Sequence, residues 1–165
     1  MMNFEEIFAQ LESRQPLAPL FPRAVWQPAL SPTILQLPID DATRAGLLLW
    51  NDDMEASHIL SQSIESATGS LWHAVMHRRE GDASNSNYWW RKTGAHPAFE
   101  LLYPRAVELL REETAPDAQQ LLKALESART WQPELFVRAC QSENDWCERL
   151  QHLEFATFLS WCRAQ

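Results

Sequence analysis

Glycine is scarce in this 165-residue chain, at four residues. That argues against a turn-rich β fold and leaves no glycine-rich loop to cradle a phosphate. Cysteine is confined to Cys140, Cys147 and Cys162, an odd number without C-x-x-C spacing, which speaks against a disulfide scaffold. Positive charge is also short: 14 basic residues face 22 acidic ones, for a formal net charge of −8. Such a surface repels phosphate backbones and anionic membranes, so neither nucleic acid nor membrane is an expected partner. No run approaches the ~20 apolar residues of a membrane span. The start, MMNFEEIFAQLESR, lacks the basic stretch and apolar core of a signal peptide. P-loop, dinucleotide, EF-hand and zinc-knuckle spacings are missing, and Ser70 lacks the G-x-S-x-G context of a nucleophile elbow. These absences predict a soluble, cytoplasmic protein folding as one domain over residues 1–165. A chain of this length buries roughly 70% of its unfolded surface and needs no metal or disulfide merely to stay folded.

What is present is helical. Phe4, Ile7, Phe8 and Leu11 recur at helical spacing behind Asn3, predicting a helix over residues 3–14. Six of the ten prolines fall between Gln15 and Ile39, which predicts an extended arm over residues 15–39 packed across the bundle by its apolar residues. Residues 40–165 read as the helical bundle. One helix opens at Asp40-Asp41 and another runs from Asp53 to about Ala67. Thr68-Gly69-Ser70 reads as a break, with Ser70 capping a helix over Leu71–Glu80. Gly81 and Gly94 close helices, Pro104 interrupts the one begun at Pro97, and Pro116 and Pro133 begin two more. The last helix spans about Ser142 to Cys162. The expectation is an all-α bundle of six to eight helices. Of the eight tryptophans, Trp50, Trp131, Trp146 and Trp161 occupy apolar helix positions and are assigned to the core.

The chemistry concentrates in WHAVMHRREGDASNSNYWW, Trp72 to Trp90. On a helical wheel His73, His77 and Glu80 share one stripe about 60° wide. Two imidazoles one turn apart and a carboxylate can converge on a divalent cation such as zinc, iron or manganese, or divide acid and base roles near neutral pH. The preceding helix carries a matching polar face: Glu55, Gln62 and Glu65 lie on the side of His58, and Glu55 to His58 is the E-x-x-H spacing of carboxylate metal helices. Counting away from Gly69 along both helices sets His58 level with His77 and Glu80. If the faces meet, His58, His73, His77 and the acids form one cluster; if both turn outward, they are two wetted surfaces. The sequence leaves both open, and His58 and His77 rings more than about 10 Å apart would dispose of the cluster.

Around it, Arg78 and Arg79 read either as a pocket for a carboxylate or phosphate of a small anionic substrate or as intramolecular partners of Glu80 and Asp82. Trp72, Tyr88 and Trp89 offer ring-stacking surface. His96 reads as a helix-entrance or loop residue, or as a fourth nitrogen if its segment folds back, and His152 as exposed. The string Trp72-His73-x-x-x-His77-Arg78-Arg79-Glu80-Gly81-Asp82, then Asn85 and Tyr88-Trp89, resembles the central signature of an uncharacterised all-α family found in bacteria and fungi. The likeness covers about residues 70–97. It implies that His73, His77, Arg78, Glu80 and Asp82 are that family's signature positions, and it carries no assigned activity. Two functions follow as expectations. One is a small-molecule enzyme using the His/Glu cluster; the other is a non-catalytic ligand- or protein-binding module with a Trp-rich contact surface.

Overall fold

The computed structural model describes residues 2–165. The first helix, α1 (Phe4–Glu12), begins where the sequence predicts. Asn3 accepts from the Glu6 N–H at 2.9 Å while the Glu6 carboxylate accepts from the Asn3 N–H at 2.9 Å, a reciprocal cap. The all-α expectation holds, with ten helices and no strand among the described residues, more than the six to eight expected. They continue as α2 (Leu30–Leu35), α3 (Asp41–Trp50), α4 (Met54–Ser61), α5 (Ala67–Arg79), α6 (Ala83–Thr93), α7 (Ala98–Arg111), α8 (Pro116–Ala128), α9 (Pro133–Cys140) and α10 (Asp145–Arg163). No helix among the described residues is long and apolar enough to cross a membrane.

Three boundaries differ from expectation, each for a physical reason. The segment read as wholly extended contains α2, because Leu30 and Ile34 sit one turn apart and both bury. Thr68-Gly69-Ser70 is not a break but the first turn of α5. Ser66 is the cap, accepting from the Gly69 N–H at 3.1 Å, and a Cβ on Gly69 would stand 2.4 Å from the Ile64 carbonyl oxygen. The true connection, residues 62–66, folds back tightly over that turn. Pro104 does not interrupt α7. It lies on the exposed side, so the carbonyl left without a donor faces water, while Leu102, Ala106 and Leu110 hold the opposite side in the core.

The core is built on aromatic stacking. Phe155 of α10 lies between Trp50 of α3 and Trp72 of α5, with ring centroids 5.6 and 6.1 Å away and interplanar angles of 8° and 14°. Helix α3 comes this close to α5 because Gly46 lacks a side chain: a Cβ there would be 2.5 Å from Trp72 Cζ2. Trp131 and Trp146 are buried as predicted, and Trp161 is half-buried.

Helix α5 is central. Every side chain from Leu71 to Arg79 is buried, polar and apolar alike. Helices α4 and α6 lie beside it, and each is pinned by a small hydroxyl contact, α4 to α3 and α6 to α5. Ser57 Oγ of α4 donates to the Ala45 carbonyl of α3 at 2.8 Å, and Ser86 Oγ of α6 donates to the Ala74 carbonyl of α5 at 2.7 Å. The inward face of α4 is thus Ser57 and Ser61 rather than an apolar stripe. That rotation carries His58 toward α5.

Candidate metal centre

Three helices contribute to the site. From α4 comes His58; from α5, His73 and His77; from α6, Trp89, one turn beyond the buried Ser86 that pins α6 to α5. The His58 and His73 ring centroids are 4.8 Å apart, His73 and His77 are 4.8 Å apart and stacked at 19°, and His58 and His77 are 5.6 Å apart. The two polar faces therefore meet. One ring nitrogen from each histidine lies within 4.8 Å of the others, the one such group of three or more among the described residues. Nitrogens bound to one tetrahedral ion at ~2.0–2.1 Å stand roughly 3.3 Å apart, so the rings need to close by about 1.5 Å at most.

His73 is the odd member. It is 4% exposed, and neither Nδ1 nor Nε2 has a hydrogen-bond partner among the described residues. A buried polar atom without a partner costs about 1–3 kcal/mol. Burial, and then the charges of His77 and His58, hold its pKa down to about 4. At neutral pH its lone pair is therefore free for a cation, as a metal ligand requires. One face of the ring is closed by Trp89, stacked 3.9 Å away at 25°.

His77 is oriented by Glu80. Nδ1 stands 3.0 Å from Glu80 Oε2. An ionised carboxylate only accepts, so Nδ1 carries the proton and Nε2 keeps the lone pair. This is the carboxylate–histidine arrangement that fixes ring orientation in metal sites. Glu80, expected as ligand or base, stands one layer behind the nitrogens. Glu80→Ala is expected to lower metal affinity about 10–100-fold. Because Glu80 is exposed, the metal-free melting temperature should hardly move. Competition with a chromogenic chelator measures this; equal affinities would dismiss the orienting role.

Several expected members lie elsewhere. Arg78 turns away from the histidines and grips Glu154 of α10 with both nitrogens, at 3.0 and 2.6 Å, plus Gln151 Oε1 at 3.3 Å. Burial pulls its pKa down, but Glu154 more than offsets this and the net shift is upward. Arg79 donates to the Leu49 carbonyl, to the Pro19 carbonyl at 2.8 Å and to Asp52 Oδ1 at 2.6 Å. Its pKa falls to about 10, burial outweighing the opposing pull of Asp52, so it stays charged at neutral pH. Neither arginine is free to hold a substrate. Their partners are also not the Glu80 and Asp82 of the sequence reading. Asp82 caps α6 and accepts from Asn85 N at 3.0 Å and Nδ2 at 2.8 Å.

Trp72 is core, not contact surface, and Trp90 is buried too. Glu55, Gln62 and Glu65 are exposed and contribute nothing to the nitrogen group. His96 is buried, but both its nitrogens are occupied: Nδ1 accepts from the Ala98 N–H at 3.2 Å, and Nε2–H donates to Thr68 Oγ1 at 3.1 Å. It is no fourth ligand. His152, expected exposed, is half-buried with its ring 5.3 Å from Trp50. Sequence reasoning also passed over Asp52, which the positive φ of 64° places between Arg79 and Arg14. Its only signal was a polar pair, Asp52-Asp53, just after an apolar helix end.

Two concavities lie away from the histidines. One of about 400 Å³ is lined by Asp117, Leu121, Leu135, Arg138 and Ser142, and another of about 390 Å³ by Trp90, Phe99, Trp131 and Pro133. Neither holds a group of three or more His, Cys, Asp or Glu that could share a metal ion. Comparison with protein-family models, with curated proteins and with solved structures finds no match to this chain.

Proposed function

We propose that this single helical domain binds one divalent metal ion through His58, His73 and His77 and uses it on a small molecule. The observation that carries the reading is His73, a buried imidazole with two unpartnered nitrogens between two other histidines. Three protein ligands with a remaining position free is the pattern of catalytic rather than structural zinc sites. Imidazole suits zinc and iron better than magnesium or calcium, which take oxygen. An ion held there supplies Lewis acidity at neutral pH. The chain's own contributions are distinct: His73 and His77 present lone pairs from a rigid central helix, Glu80 holds His77 in the ligating tautomer, and Trp89 shields one side from water.

The competing reading, a non-catalytic ligand- or protein-binding module with a Trp-rich contact surface, draws less support from the tryptophans. Trp72 and Trp90 are buried, and Trp89 is half covered by His73.

The test is elemental analysis of untagged protein by mass spectrometry, beside His77→Ala. Wild type should carry roughly one equivalent of zinc, iron or manganese, as one three-ligand site dictates, and the variant should carry none. No metal in either sample, even after incubation with each ion, would end the proposal.

A further inference from the structure

We infer that the cleft between α8 and α9 is a binding site separate from the histidines, for an unbranched aliphatic monocarboxylate of about eight carbons. Its head group pairs with Arg138, and its tail covers Leu121 and Leu135.

The shape of the cleft follows from two helix faces. On α8, Asp117, Leu121 and Ala124 recur at i, i+4 and i+7; on α9, Leu135, Arg138 and Ala139 recur at i, i+3 and i+4. Both faces line one cavity of about 400 Å³, at the small end of the range for ligand pockets. Packed helices close such a gap with interlocking side chains, and Ala124 and Ala139 are too short to do so. Leu121 is buried, whereas Leu135 on the facing wall stays 38% exposed. Apolar surface left open in a concave place gains by being covered. From Asp117 to Ala124 the helix rises about 10 Å, the length of an extended chain of about eight carbons.

Charge selects the head group. The exposed arginines Arg91, Arg111, Arg149 and Arg163 each pair with a glutamate, whereas Arg138 has no carboxylate partner among the described residues. Asp117, the acid in the same wall, is already spent. It accepts from Asn144 Nδ2 at 2.6 Å and Trp146 Nε1 at 3.3 Å, bonds that tie the start of α8 to the segment before α10 at one end of the cleft. A guanidinium matches a carboxylate in shape and charge. A single cation in a chain of net charge −8 favours a singly charged anion over a multiply charged one.

The experiment follows ¹H–¹⁵N spectra of the full chain during titration with hexanoate, octanoate, decanoate and octanol. Octanoate should shift the amides of residues 117–124 and 135–142 and bind about 4–16-fold more tightly than hexanoate, the gain from covering two methylenes in part or in full. Decanoate should add no more than about twofold, because its last carbons find no further wall. Octanol should bind about tenfold more weakly than octanoate, for want of the charged head group. Arg138→Ala should erase the difference between octanoate and octanol; Arg138 is exposed, so this variant folds. Four results would each overturn the inference: no shifts at millimolar octanoate, shifts centred outside α8 and α9, octanol equal to octanoate in wild type, or a gain from octanoate to decanoate as large as that from hexanoate to octanoate.

Discussion

Glu154→Ala is expected to remove about 3–5 kcal/mol of folding stability, the range for breaking a buried ion pair from one side. For a chain of this size that lowers the melting temperature by roughly 6–20 °C. Arg78 and Glu154 form a two-pronged pair at 3.0 and 2.6 Å with side chains 2% and 1% exposed, and the guanidinium lies 4.6 Å over the Phe136 ring. Without Glu154, Arg78 keeps one side-chain acceptor, Gln151, and a full charge that no water reaches. Replacing both partners together, Arg78→Met with Glu154→Leu, removes the stranded charge and should cost far less than Glu154→Ala alone. Thermal denaturation of the three variants decides. A loss of under ~1 kcal/mol in Glu154→Ala would mean that the pair is hydrated in solution.

His73→Leu should change stability in opposite directions with and without metal. In metal-free protein the substitution removes a buried ring whose two nitrogens have no partners. Leaving such groups unmet costs about 1–3 kcal/mol, against a loss of about 0.5–1.5 kcal/mol from the Trp89 stack. Leucine is close to histidine in volume, so the variant should be more stable by about 1 kcal/mol, a rise of roughly 2–4 °C. Metal reverses the order. At an ion concentration one hundred times the dissociation constant, wild type gains about 2.7 kcal/mol while the variant gains nothing. Melting curves with and without Zn²⁺ read both halves. A variant that loses stability without metal would show that His73 is a satisfied core residue, and a Zn²⁺ response in the variant would place the ion elsewhere.

These two residues also mark what could and could not be read from the sequence. The cluster was legible because His73 and His77 are one turn apart and the neighbouring helix carries His58 on its polar side. The height count was not sound: with the turn centred on Ile64 instead of Gly69, the residue level with His58 moves from Glu80 to Ser70, and the rings meet because both histidine faces turn inward. The ten helices were mostly visible through their caps and prolines. The fate of Arg78 and Arg79 was not. A helix with polar residues at positions 73, 77, 78 and 79 reads as amphipathic with a wet face, yet α5 has no wet face. Its partners come from Asp52, Pro19 and Glu154, at separations of 27, 60 and 76 residues. Local periodicity carries no information at that range. The inward face of α4 is hidden from the sequence for a related reason: Ser57 and Ser61 look like surface residues, yet both bury and Ser57 donates to the Ala45 carbonyl.

The amide of Gln151 also joins distant parts of the chain. Its nitrogen donates to the Ala18 carbonyl at 3.1 Å and the Pro19 carbonyl at 3.3 Å, across 133 and 132 residues. Arg79 reaches the same Pro19 carbonyl. A chain made from its N-terminus therefore presents residues 18–19 and the central helix long before α10 exists to dock against them. Glu154, which neutralises Arg78, arrives with α10 as well. The emerging polypeptide thus carries His58, His73, His77 and Trp89 together, with Arg79 already matched by Asp52, while Arg78 waits for its counter-ion until α10 is made.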